Sequence, residues 1–269
     1  MLPTFQIFGF TVGMYGVCAM VGLLLCGFVG SRLAKRHNID IYDFILIMLA
    51  VAIGLVIGAH IVYGISRFDV VIVALSNIGK LSVWRFFEIM GIAFGGMVFY
   101  GGFLGGLAAI PIFCKFYKKA RARDIIDIYA VMVPLFHVFG RIGCFFAGCC
   151  FGMESDFGFT VHGNTLNPEI NDVNRLPVPL IEAACNLLIF LVILYLFKKR
   201  KMEGKLVLVY MLIYPVVRFT LEFFRGDVIR GFFLGLSTSQ WISLILFVTA
   251  VVILIVGKLK QPKRAKETE

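Results

Sequence analysis

A chain of 269 residues that is 60% hydrophobic, holds 28 phenylalanines and is only 16% charged has more apolar surface than a soluble domain of its size can bury. The net charge of +10 does not point to nucleic acid, because the basic residues fall in short clusters between apolar runs, as the positive-inside rule expects. The seven cysteines are odd in number and imply no disulfide scaffold.

Taken in chain order, the opening MLPTFQIFGF lacks a basic n-region, so no signal peptide of the usual form is expected. Seven apolar segments follow, at about Phe10–Gly30, Phe44–Ser66, Glu88–Phe113, Ile125–Ala147, Leu180–Phe197, Leu206–Phe224 and Gln240–Gly257. Basic clusters follow the first segment (Arg32, Lys35, Arg36) and the third (Lys115, Lys118, Lys119, Arg121, Arg123). Two more lie between the fifth and sixth (Lys198, Lys199, Arg200, Lys201, Lys205) and at the end of the chain (Lys258, Lys260, Lys263, Arg264, Lys266). They alternate with sparsely basic loops, which puts the N-terminus outside and the C-terminus in the cytoplasm. The expected architecture is a single all-α integral-membrane domain, residues 1–269, with seven transmembrane helices. Its external loops are expected at about 67–87 and 151–179, the first along the interface and the second a polar cap, with a cytoplasmic tail at about 258–269. The glycine-rich GGMVFYGGFLGG, Gly95–Gly106, is the composition that lets membrane helices approach closely.

Charges inside apolar runs need a reason. An arginine at mid-membrane costs roughly 2.5–3.5 kcal/mol even on the lenient insertion scale. FHVFGRIGCFFAGCCFG, Phe136–Gly152, nevertheless places His137, Arg141 and Cys144 on one helical face. YPVVRFTLEFFRGD does the same with Tyr214, Arg218, Glu222 and Arg225. Glu222 can pair with either neighbouring arginine, as helix glue. Three arginines then outnumber the single obvious carboxylate, and an anionic ligand would resolve the excess. Arginine's planar fork suits a phosphate, and a phospholipid head group is the anion available at that depth. Cys144, Cys149 and Cys150 are open to reading as metal ligands, thiol nucleophiles, a redox pair or packing residues, although C-x4-C-C is not a usual zinc spacing. Cys18, Cys26, Cys114 and Cys185 read as core residues.

These motifs resemble those of the phosphatidylglycerol–prolipoprotein diacylglyceryl transferases of bacterial inner membranes, in a cysteine-rich variant. GRIGCFFAGCCFG, Gly140–Gly152, and YPVVRFTLEFFRGD carry the resemblance. MYG (Met14–Gly16), GGMVFYGG (Gly95–Gly102), PVPLIEA (Pro177–Ala183) and STSQ (Ser237–Gln240) support it. The resemblance implies a multi-pass plasma-membrane enzyme whose partners are phosphatidylglycerol and the lipobox of a prolipoprotein signal peptide. The diacylglyceryl group moves to the lipobox cysteine thiol as a thioether, without a metal or organic cofactor. It implies Arg141, Arg218 and Tyr100 as catalytic residues. Tyr15, His137, Cys144, Gly152, Tyr214, Glu222 and Arg225 are implied as substrate-binding.

The chain departs from the family pattern at Tyr100, where many members carry a histidine proposed as the base, and at Cys144, where asparagine is usual. Tyr100 then serves either as the base or in positioning the lipid; His137 is a substitute base or a hydrogen-bonding residue, and His60 a supporting one. The competing expectations are a paralogue with another acceptor and a non-catalytic phospholipid-binding membrane protein. An ion transporter fits poorly, because the charges gather toward one side.

Overall fold

The computed structural model describes residues 4–7, 10–77, 79–164, 167–227 and 232–259. Within them a hairpin of β1 (Thr4–Ile7) and β2 (Phe10–Gly13) leads into α1 (Met14–Lys35) and α2 (Ile41–Ser66). Next come α3 (Phe68–Ser76), α4 (Val83–Phe94), α5 (Phe99–Phe116) and α6 (Ala122–Ala147). The polar stretch after α6 holds β3 (Glu154–Thr160), a 3-10 turn at Pro168–Ile170 and β4 (Asn174–Arg175). Then follow α7 (Val178–Lys198), α8 (Leu206–Glu222), a small hairpin of β5 (Phe232–Phe233) and β6 (Leu236–Ser237), and α9 (Thr238–Leu259).

Among the described residues six helices, α1, α2, α5, α6, α7 and α9, are long and apolar enough to cross a membrane. Their outward flanks carry exposed Leu24, Phe28, Ile53, Leu188 and Ile253, surface that only lipid solvates well. α8 is apolar too but only 17 residues long.

Two of the expected segments differ from the structure. The third, Glu88–Phe113, is broken between α4 and α5. Gly95 closes α4, and Gly96 lies against the Tyr63 ring where no side chain fits. The first segment starts helically only at Met14, because Phe10–Gly13 pairs with Thr4–Ile7 as a ladder. Of the terminal basic cluster, Lys260, Lys263, Arg264 and Lys266 lie outside the described residues.

The chain divides into two units, 31–129 and 1–30 with 130–269. In the first, α2 and α5 meet along glycine. A Cβ on Gly58 would strike the Gly101 carbonyl, one on Gly105 the Gly54 carbonyl, and one on Gly54 would come within 2.6 Å of Ala109. Where lipid is as apolar as leucine, such backbone proximity and the dispersion it permits hold helices together. Asp40 caps α2 by accepting from the Tyr42 N–H at 2.8 Å. His60 Nδ1 bonds the Phe94 carbonyl at 2.7 Å, which satisfies an open acceptor at the end of α4. Asp43 accepts from Tyr117 and pairs with Lys119 at 3.2 Å, and His37 faces Asp124 at 3.5 Å. The α1–α2 and α5–α6 loops, both basic, are thereby joined at one end of the unit.

In the second unit Gly22 of α1 lets Phe136 and Phe139 of α6 close in, and Gly143 of α6 does the same for Tyr15 and Cys18. The cap ends α6 with side chains: Asn164 Nδ2 donates to the Ala147 carbonyl at 3.4 Å and Asn167 Nδ2 to the Gly148 carbonyl at 3.1 Å. STSQ forms a reciprocal capping box. The Ser237 N–H donates to Gln240 Oε1 at 2.9 Å, and the Gln240 N–H donates back to Ser237 Oγ at 3.3 Å.

Gly58→Leu should destabilise the protein by about 1–3 kcal/mol or more, since neither backbone can yield to the added volume. Gly27→Ala, where the added Cβ meets open space, should be neutral. Thermal unfolding of both variants in detergent checks the pair.

Candidate active site

Five segments of the second unit converge on one cluster: the C-terminal turns of α6, the first turns of α7 and α9, the last turns of α8, and Arg225–Asp227. Arg141, one turn after His137, donates from Nε to His137 Nε2 at 3.2 Å and pairs through Nη2 with Glu182 of α7 at 2.9 Å. Glu182 is fully buried and also accepts from the Tyr214 hydroxyl at 2.9 Å. Its second oxygen, Oε2, has no hydrogen-bond partner among the described residues. Tyr214 stacks on Tyr210 at 5.2 Å and tilts against the His137 ring at 4.8 Å.

A guanidinium only donates, so His137 Nε2 must be the lone-pair nitrogen and Nδ1 the one bearing hydrogen, directed to Tyr210 Oη 3.2 Å away. That lone pair is occupied. To serve as a base His137 would first have to release Arg141.

On α8, Arg218 Nη1 lies 2.6 Å from Glu222 Oε2, and Nη2 donates to Ser239 Oγ at 2.9 Å. Ser239 passes its own hydrogen to Glu222 Oε1 at 3.2 Å, which closes the ring. The Nη1 contact is out of line for a hydrogen bond, leaving that buried donor without one among the described residues. Arg218 is within electrostatic range of both Arg141 and Glu182, so the two pairs form one charged cluster. Arg225 forks onto Asp227 at 2.8 and 2.9 Å, with Glu222 at 3.9 Å behind it. Burial lifts the Asp227 carboxyl above its usual range while Arg225 pulls the other way.

This pairing corrects the expected excess of positive charge. Arg141, Arg218 and Arg225 each have a carboxylate, supplied by Glu182, Glu222 and Asp227. Glu182, within PVPLIEA, is a site residue that the sequence expectations do not include. The rule that singled out Arg141, a charge within an apolar run, applies to it equally.

Gly152 has a packing reason. It bridges Arg225 in antiparallel fashion, with the Met153 N–H donating to the Phe224 carbonyl at 2.9 Å and the Gly226 N–H to the Phe151 carbonyl at 3.0 Å. An added Cβ would strike the Leu176 carbonyl. Tyr15 backs onto α6 at Gly143 and is half-exposed. Tyr100 belongs to the other unit, where it is buried near the start of α5 with its ring edge-on to Phe99 at 5.8 Å.

The sulfurs of Cys144, Cys149 and Cys150 all lie within 4.8 Å of one another, a proximity that C-x4-C-C spacing does not announce. The chain turns there through Gly148 at φ 70° and Cys150 at φ 59°. Hydrogen bonds from Cys144 and Cys149, with Arg225 and Arg141 behind them, hold the Cys150 thiol below its ordinary range.

Glu182→Gln should cost about 3–5 kcal/mol, because Arg141 would be left buried without its counter-charge. The double variant Glu182→Gln/Arg141→Gln should recover part of the loss. Thermal unfolding in detergent reads both, and a double variant less stable than the single one would show the pair not to be coupled.

Comparison with known proteins matches residues 3–256 to the family model described as prolipoprotein diacylglyceryl transferase. A phosphatidylglycerol–prolipoprotein diacylglyceryl transferase of Campylobacter jejuni (strain RM1221) is 33% identical, over 96% of this chain and 93% of its own. One from Clostridium perfringens (strain 13 / Type A), called transferase 2, is 31% identical over 97% of each chain. One from Clostridium tetani (strain Massachusetts / E88) is 28% identical over 96% of this chain and 98% of its own.

Proposed function

The chain belongs to the prolipoprotein diacylglyceryl transferase family, and we propose that its Arg141–Glu182 and Arg218–Glu222 pairs are the machinery of the reaction it catalyses. That reaction moves the diacylglyceryl group of phosphatidylglycerol to a prolipoprotein. The acceptor is the lipobox cysteine: its thiolate forms a C–S bond to the terminal glyceryl carbon, the C–O bond to phosphate breaks, and glycerol phosphate leaves with the electron pair.

The observation that carries this reading is a pair of guanidiniums, each held from one side by a carboxylate and each with donors to spare. Arg218 Nη1 lies 2.6 Å from Glu222 Oε2 without an aligned hydrogen bond, so its donor capacity is only partly used, and Arg141 keeps some exposure. A carboxylate that uses part of the five-donor fork leaves the rest for a phosphate and fixes its direction. Charge gathers on the phosphate as the bond breaks, so donors set in place beforehand favour the transition state over the ground state. Glu222 and Arg225 orient Arg218, and His137 and Tyr214 orient Arg141 and Glu182. Tyr15 and Cys144 face the substrate, and Gly152 keeps the floor of the site thin. Tyr100 serves as base or as a lipid-positioning hydroxyl.

We place all seven apolar helices across a bacterial plasma membrane as one domain, with the N-terminus outside and the C-terminus in the cytoplasm. At 1.5 Å per residue α8 reaches about 26 Å, close to a hydrocarbon core of about 30 Å. The joined basic loops of the first unit support the orientation. The cap and the arginine cluster then belong to the outer leaflet, where the lipobox emerges.

Purified protein given phosphatidylglycerol and a lipobox peptide should yield the diacylglyceryl thioether by mass spectrometry, and none when the peptide cysteine is serine. Retained lipid without product, from folded protein, would favour a binding role. Arg218→Ala and Arg141→Lys should each lower turnover by at least about a hundredfold while the protein still inserts, as lysine lacks the planar fork. Near-normal turnover in both would remove the phosphate clamp.

A further inference from the structure

The transfer reaction leaves one cluster unused as a cluster. Cys144, Cys149 and Cys150 point three sulfurs at a common centre from the last turn of α6 and the bend after it. All are partly accessible and none is in a disulfide. A cation about 2.3 Å from three sulfurs needs them about 4 Å apart, so the observed separations close with small side-chain rotations. Among the described residues no histidine or carboxylate joins the group. The donor set is therefore sulfur alone, which selects soft cations over magnesium or calcium.

The backbone adds a second observation. Cys150 adopts φ 59°, a conformation non-glycine residues pay for, and it is this turn that brings its sulfur beside the other two.

We propose that Cys144, Cys149 and Cys150 form a three-thiolate structural site for a soft d10 cation, copper(I) in trigonal coordination or zinc(II) with a solvent water as its fourth ligand. Binding makes three metal–sulfur bonds and releases the three thiol protons to solvent, with no change of oxidation state. The cation pins the end of α6 to the segment that leads into Gly152, and so fixes the loop beside Arg141. Its part is structural, and although Cys144 is shared with the transferase reading, metal retention is read without turnover.

The test uses the full chain in detergent, reduced and freed of metal. One equivalent of Zn²⁺ or Cu⁺ per chain should survive desalting, as read by elemental analysis, and should shield Cys149 and Cys150 from alkylation. The two ions in separate arms identify the one preferred. Titration with Cd²⁺ should give a sulfur-to-metal absorption band saturating at one ion. Cys144→Ser and Cys150→Ser should weaken retention by at least about tenfold, and Cys185→Ser should leave it unchanged. The shielding and absorption are read on the unaltered chain, so poor folding of a variant does not blur the result. Absent retention and shielding in folded, reduced protein would overturn the site, as would a Cys144→Ser variant that binds like the parent. Two thiols lost to a disulfide in the isolated protein, with no metal bound after reduction, would overturn it in favour of a redox pair.

Discussion

The site depends on a carboxylate that water never reaches. Glu182 is held in the interior by Arg141 and Tyr214, and Arg141 is held in turn by Glu182 and His137. In a medium where a lone charge is prohibitively costly, neither residue is tolerable without the other. The pair also determines geometry, because a guanidinium shared between a carboxylate and an imidazole has few orientations left. Arg218, ringed by Glu222 and Ser239, obeys the same constraint with different means. What looks like a concentration of positive charge is thus a neutral lattice with donors in reserve. Such a lattice is what the proposed phosphate clamp needs, donors held in place without a net charge to neutralise.

Glycine works on the other side of the balance. Between α2 and α5 there is no charge and little polarity, only backbones brought into contact by Gly54, Gly58, Gly101 and Gly105. At Gly152 and Gly226 the same absence of a side chain serves a different end, letting strand segments meet beneath Leu176 and Arg175. One residue type therefore provides adhesion in the lipid phase and close strand packing at the cap.

Much of this was legible in the sequence, for definite reasons. Span length and basic loops follow from membrane thickness and charge, both of which a linear pattern records. The Arg218–Glu222 pair was legible because its members are one turn apart. The Arg141–Glu182 pair was not, because its partners lie on different helices and nothing in their spacing encodes the meeting. The break between α4 and α5 was hidden by hydropathy, which stays high across Gly95–Val98 while the backbone turns. The thiol group was hidden likewise: C-x4-C-C on a helix would spread its sulfurs, and only the turns at Gly148 and Cys150 gather them.

The two ion pairs also differ in when they can form. Arg218 and Glu222 share one helix and can pair as soon as α8 coils. Arg141 is synthesised before Glu182 exists, so its pair waits until α7 has packed on α6. The first pair is a property of one helix, the second of two.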